Sequence, residues 1–222
     1  MDATIAGVLV NIIIAAGTCG AVAVAFLTNK RTSFENTFNL LLSQHNTALL
    51  NLKKEEKYSE NFRFIFKGEP DLSSLNKRMH ELDDYFSSYF RILYHLMKHV
   101  HTSKISFRDS FNEKKKYTSM IRAHLDSETT LLLAINCSHA NDTNQYALYK
   151  KMVEEYAMLE HLILNRKNLL KHINVASDDL QDAYKTIVMI ENGALDKILS
   201  DIVTKYSFKA FGSRESIQKF KE

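Results

Sequence analysis

Residues 5–27 read IAGVLVNIIIAAGTCGAVAVAFL, and no charged side chain interrupts them. As a helix rising about 1.5 Å per residue, this stretch reaches roughly 34 Å, enough for a hydrocarbon core of about 30 Å. It reads as one transmembrane helix. A cleaved signal peptide would begin with basic residues. Here Asp2 precedes the apolar run, and Lys30 and Arg31 follow it, so an uncleaved anchor is expected. Cations stay on the cytoplasmic side of a membrane, which places the amino terminus outside and everything after Lys30 in the cytoplasm.

Within the span, Gly17, Ala21 and Ala25 recur at four-residue spacing with Gly20 beside them. Small side chains on one face let a second helix approach closely, so self-association within the lipid bilayer is expected there. Asn11 is the strongly polar side chain of the span. Interhelical hydrogen bonding and a position near the outer interface account for it equally well.

The rest of the chain points to an all-α protein. Six glycines and one proline, Pro70, among 222 residues leave little material for phosphate-cradling loops, and neither G-x-x-x-x-G-K nor G-x-G-x-x-G occurs. The formal charge of +3 lacks the basic excess of a DNA-coating protein. Cys19 and Cys137 are far apart, and the first lies in the apolar run, so neither a disulfide framework nor a zinc site is indicated.

After the anchor (1–30), a juxtamembrane helix is expected over 31–53, where Phe34, Phe38, Leu41, Leu42, Leu49 and Leu52 follow helical spacing without a breaker. Residues 54–73 lose that period and end in KGEPDLSS, the composition of a linker. A cytoplasmic helical bundle then occupies 74–208. Its first helix carries a heptad-like seam of Leu75, Met79, Leu82, Phe86, Tyr89, Leu93, Leu96 and Val100. Further helices are expected from about Asn112 to Cys137, from about Gln145 to Leu164 and from near Asp178 to Tyr206, with a polar tail over 209–222.

The segment YFRILYHLMKHVH, 89–101, sets Arg91 and His95 one turn apart on a face away from the seam, with His99 a further turn on. A zinc helix would read H-E-x-x-H, whereas Leu96 follows His95, so a polar or partner-facing surface is expected and no metal. Arg122 and Asp126 have the spacing of a helical ion pair. Lys114, Lys115 and Lys116 form a basic cluster whose readings are a solvated helix start, nucleic acid or anionic lipid. Arg166 and His172 resemble the Arg/His pair of HEPN-type ribonucleases, a spacing that chance also produces among nine histidines. No nucleophile signature is present, so no enzyme, cofactor or small-molecule substrate is expected.

Four segments in order, SFENTFNLLLSQHN, YFRILYHLMKHV, YTSMIRAHLDSETTLLLAINC and MVEEYAMLEHL, resemble the AbiC-like phage abortive infection family over roughly residues 33–163. The resemblance implies a small membrane protein of the bacterial inner membrane acting in antiviral defence. It also implies kinship with retron effectors, whose partner is a reverse transcriptase with its RNA–DNA product. Carried onto this chain, the family blocks fall on Tyr89, Arg91, Tyr94 and His95, then on Arg122, Glu128 and Asn136, as partner or interhelical contacts. The chain departs from the pattern at His124, Asp126 and Ala134–Ile135, and in having one amino-terminal apolar helix where members often have two. The reading that results is a toxic effector released from an inhibitory partner to perturb the membrane. A membrane-tethered ribonuclease and a non-toxic scaffold are the alternatives.

Overall fold

The computed structural model describes residues 3–66, 71–105, 111–139, 146–164 and 194–213, together with 215 and 217. Among them every regular element is helical, as expected. In chain order these are α1 (Ala3–Lys54), α2 (Tyr58–Ile65), α3 (Leu72–Glu81), α4 (Asp83–Thr102), α5 (Phe111–Ala123), α6 (Ser127–Asn136), α7 (Ala147–Glu155) and α8 (Ala194–Lys205), followed by a 3-10 turn over Phe208–Phe211.

Anchor and juxtamembrane segment are one helix. With 52 residues, α1 extends about 78 Å, and its two halves have opposite surroundings. From Val10 to Leu27 it is apolar and exposed all round, whereas Phe34, Phe38, His45, Leu49 and Leu52 of the second half are buried. This buried stripe packs lengthwise on α4, which also contacts α3, α5 and α7. The seam of α4 supplies the middle of the core: Phe86, Tyr89, Leu93, Leu96 and Val100 are all buried. A single non-helical residue, Leu82, separates α3 from α4, so the spacing continues across the break to Leu75 and Met79.

Several expected boundaries differ. The stretch read as a linker, 54–73, contains α2, whose Tyr58, Phe62 and Ile65 are buried; its four-residue and three-residue steps are an apolar helical face of their own. The helix expected over 112–137 is two helices. Asp126 is extended (φ −77°, ψ 173°) and its carboxylate accepts the Thr129 N–H at 2.9 Å, so it caps a new helix and does not ride as the partner of Arg122. The helix expected to reach Leu164 ends at Glu155. There Ala157 adopts φ 54°, Met158 N–H donates to Val153 C=O at 3.0 Å and Ala157 N–H to Glu154 C=O at 3.4 Å, a Schellman closure with alanine where glycine usually stands. The tail is ordered further than expected, because Ala210 and Phe211 are buried and Ala210 C=O accepts the Leu159 N–H at 2.9 Å. The last expected helix is described from Ala194 onward. Its earlier part, like Arg166 and His172, lies outside the described residues.

Candidate functional site

The exposed half of α1 is the most unusual surface of the molecule. Val8, Val10, Ile12, Ile13, Ile14, Val22, Val24 and Phe26 are each more than half exposed. Water penalises so much apolar area, while a bilayer accepts it. The Thr18 hydroxyl donates to Ile14 C=O at 2.9 Å, so its polarity is met within the helix, as hydrocarbon requires. This is one helix, near the amino terminus, that is long and apolar enough to cross a membrane. Gly17 and Gly20 have open space around them: a Cβ added at either would meet nothing within 4 Å. Ala21 and Ala25 are exposed beside them, so the small-residue face is free along its length.

The apolar half passes into the bundle within about one turn. Arg31 pairs with Glu35 at 2.9 Å, and Glu35 also accepts the Tyr117 O–H at 3.1 Å; both hydrogen bonds hold the Glu35 carboxyl below its ordinary range. Phe34 stacks on His99 at 4.9 Å and meets the edge of Tyr117 at 4.9 Å. Farther along, His45 is fully buried. Its Nδ1–H donates to Asn46 Oδ1 at 3.1 Å, which leaves Nε2 to accept the Tyr89 O–H at 3.0 Å. Burial disfavours the imidazolium and lowers His45 to about 4. At the far end Tyr85 O–H donates to Leu52 C=O at 3.0 Å.

Lys53 closes the seat by pairing with both Asp126 and Glu128, the latter at 3.2 Å. The two carboxyls respond differently. For Asp126 burial acts upward, but the Lys53 charge and the Thr129 N–H outweigh it and the group ends below its ordinary range. Glu128 is the more deeply enclosed, and there burial wins over Lys53 and raises the group. One Glu128 oxygen has no hydrogen-bond partner. Glu128 thus joins α6 to the end of α1.

Arg122 is a second hub. It donates to the carbonyls of Tyr156 at 3.4 Å and Ala157 at 3.1 Å and pairs with Glu160 at 2.7 Å, the partner that Asp126 was expected to be. Glu160 in turn fills the space beside Gly212. That residue has φ +81°, and a Cβ there would lie 2.9 Å from Glu160 Cδ, so this position requires glycine.

The opening segment, 89–101, divides between core and surface. Tyr89 is buried against His45, whereas Arg91 and His95 are exposed. Arg91 donates to the Ser87 hydroxyl at 2.9 Å and the Ser87 carbonyl at 3.3 Å. Together with Tyr94 and Asn136 they line a cleft of about 380 Å³, whose other walls include Asp83, Phe90, Tyr146 and Tyr149. Four of the residues singled out in the sequence therefore meet at one place, and Tyr89, Arg122 and Glu128 do not join them. Asn136 comes from a different helix and is 7% exposed. Sequence spacing on α4 found the first wall. Tyr146 and Tyr149 carried no signal, because they reach the cleft only through the packing of α7 on α4.

Residues 81–167 match the family model for putative phage abortive infection protein. The abortive infection match begins at the end of α3 and takes in α4, α5, α6 and α7, so it covers every residue named on the cleft walls as well as Tyr89, Arg122 and Glu128. Three of the four ordered segments, from YFRILYHLMKHV to MVEEYAMLEHL, fall in this range and the resemblance is supported there; the first, SFENTFNLLLSQHN, precedes it. All of α1, its exposed and its buried half alike, lies outside the matched range, as do α2 and α8. No curated protein and no solved structure matches the chain.

Proposed function

We propose that this chain is the membrane-anchored effector of an anti-phage defence, which arrests or kills the infected cell by perturbing its inner membrane once an inhibitory partner lets go. The observation that carries the reading is the continuity of α1. A helix exposed and apolar in its first half is built, without a joint, into a bundle of which residues 81–167 match the abortive infection family. A rigid helix transmits rotation or displacement, so a partner that shifts α4 or α5 also moves the segment in the bilayer. Lys30 and Arg31 hold the bundle on the cytoplasmic side. The open face of Gly17, Gly20, Ala21 and Ala25 is where released copies associate. The cleft with Arg91, His95 and Asn136 is the surface the partner grips, and a reverse transcriptase bound to its RNA–DNA product fits the charge of Arg91 and the aromatic walls of Tyr94 and Tyr146.

The reading is tested by phage challenge. Cells carrying the gene and its neighbours should stop growing before phage release. Replacing Ile13 and Val22 with Arg, which opposes insertion by about 2.5–3.5 kcal/mol each, should abolish that arrest while the chain still accumulates. Arrest that persists with the chain recovered in the soluble fraction would overturn the membrane role.

A further inference from the structure

We infer that the base of the helical bundle is itself a binding surface for anionic phospholipid headgroups, formed by Lys30 and Arg31 of α1 together with Lys115, Lys116 and Phe111 of α5. The inference deepens the membrane reading above and rests on it. Register is the argument. Along α1, the pairs Phe34–Tyr117 and Glu35–Tyr117 come before Lys53–Asp126, so α1 and α5 with its continuation run in the same direction away from the exposed apolar half. Residues preceding Tyr117 in α5 therefore lie toward the membrane end.

A helix rises about 1.5 Å per residue, so Lys116 to Phe111 occupy the last ~9 Å on the membrane side of Tyr117. Lys30 and Arg31 stand about 6–8 Å on the same side of Glu35. The two sets share one level, where the apolar span ends. Lys115 and Lys116 are exposed, and Phe111, stacked on Tyr156 with centroids 5.9 Å apart, is still 47% exposed, an aromatic ring at the depth where rings favour the headgroup region. The described acids nearby include Glu35, Glu113 and Glu155; Glu35 is engaged by Arg31 and Tyr117, and Glu155 stands 3.8 Å from His101. Lys114 is held by the His101 carbonyl at 2.8 Å, which fixes the start of α5 against the end of α4 and keeps the surface in place. A bilayer of negative surface charge meets a matching face; a neutral one does not.

The test uses the full chain in nanodiscs of phosphatidylcholine alone and of phosphatidylcholine with about one-third phosphatidylglycerol, read by amide hydrogen exchange of residues 111–118 with residues 58–65 as internal reference. Exchange of 111–118 should slow roughly fivefold or more in the anionic discs, in proportion to the attraction of each surface lysine, and the reference should not change. Lys115→Gln with Lys116→Gln, which leaves the Lys114 contact intact, should remove most of the difference. Equal exchange in the two lipids, or a difference that survives both substitutions, overturns the inference while stable insertion leaves the anchor standing. A chain that washes free of both kinds of disc overturns the anchor and this inference together.

Discussion

Acidification should loosen the seat of α1 through His45. Its ring is fully buried, and as a neutral group it donates to Asn46 and accepts from Tyr89. A proton on Nε2 would face the Tyr89 hydroxyl, which would have to give up donating to the ring and turn its own proton away. The imidazole has an ordinary value of 6.5 and is lowered to about 4 in the fold. As pH falls below 6.5 the unfolded chain takes up a proton that the folded chain refuses. The contribution is therefore complete above pH 6.5 and lost as pH falls to about 4. About 2.5 units at 1.36 kcal/mol each give roughly 3 kcal/mol, a large share of the ~5–15 kcal/mol that holds a domain together. Chemical unfolding of the bundle in detergent micelles, followed by circular dichroism between pH 7.5 and 4.5, measures it. His45→Gln has no titrating ring, so its stability should fall less over this interval than the parent's by on the order of 2–3 kcal/mol. Parallel losses in parent and variant would refute the assignment.

Three further expectations follow from the same contacts. Ala157→Gly should raise stability by roughly 0.5–1 kcal/mol, because φ 54° strains an alanine and not a glycine; an unchanged unfolding midpoint would mean that the Schellman closure is not strained. Arg122→Ala should cost about 2–4 kcal/mol, since it strips two carbonyls and Glu160 of their donor, and a loss below about 0.5 kcal/mol would show that the hub carries little. For Glu128, burial raises the carboxyl, so the folded state holds its proton more tightly and stability declines as pH rises above 4.5. Glu128→Gln should therefore compare better with the parent at pH 8 than at pH 4, and the reverse order would contradict that sign.

Much of this arrangement was legible in the sequence where a period repeats. The seam from Leu75 to Val100 sits in the core as spaced, and Arg91 and His95 are on the outside, one turn apart. The stripe on α1 shows the limit of reading by hydrophobicity. Its apolar members leave a gap between Leu42 and Leu49, and the residue that fills it is His45, whose spacing was right and whose polarity concealed it until Tyr89 and Asn46 satisfied both nitrogens. Two helix ends were hidden for opposite reasons. Asp126 has the look of a partner for Arg122 but caps a helix, because an extended backbone there lets its carboxylate meet the Thr129 N–H. Ala157 breaks α7 without glycine or proline, and only the Arg122 donors on its carbonyl and that of Tyr156 show why the turn holds. The cleft was half visible: α4 supplies Arg91, Tyr94 and His95 by local spacing, whereas Asn136 and Tyr146 join them through tertiary packing, which no local pattern encodes.

The central claim, that the exposed half of α1 acts in the membrane and is more than a tether, is tested most directly by membrane potential in induced cells. Gly17→Leu with Ala21→Leu keeps the segment apolar and long enough to insert, but fills the face on which helices approach. Around Gly17 there is open space, so the bundle is not disturbed. The account predicts that the parent chain depolarises the inner membrane and that the double variant, inserted to the same level, depolarises it far less and yields fewer cross-linked oligomers. Depolarisation and cross-linking equal to the parent's would contradict it.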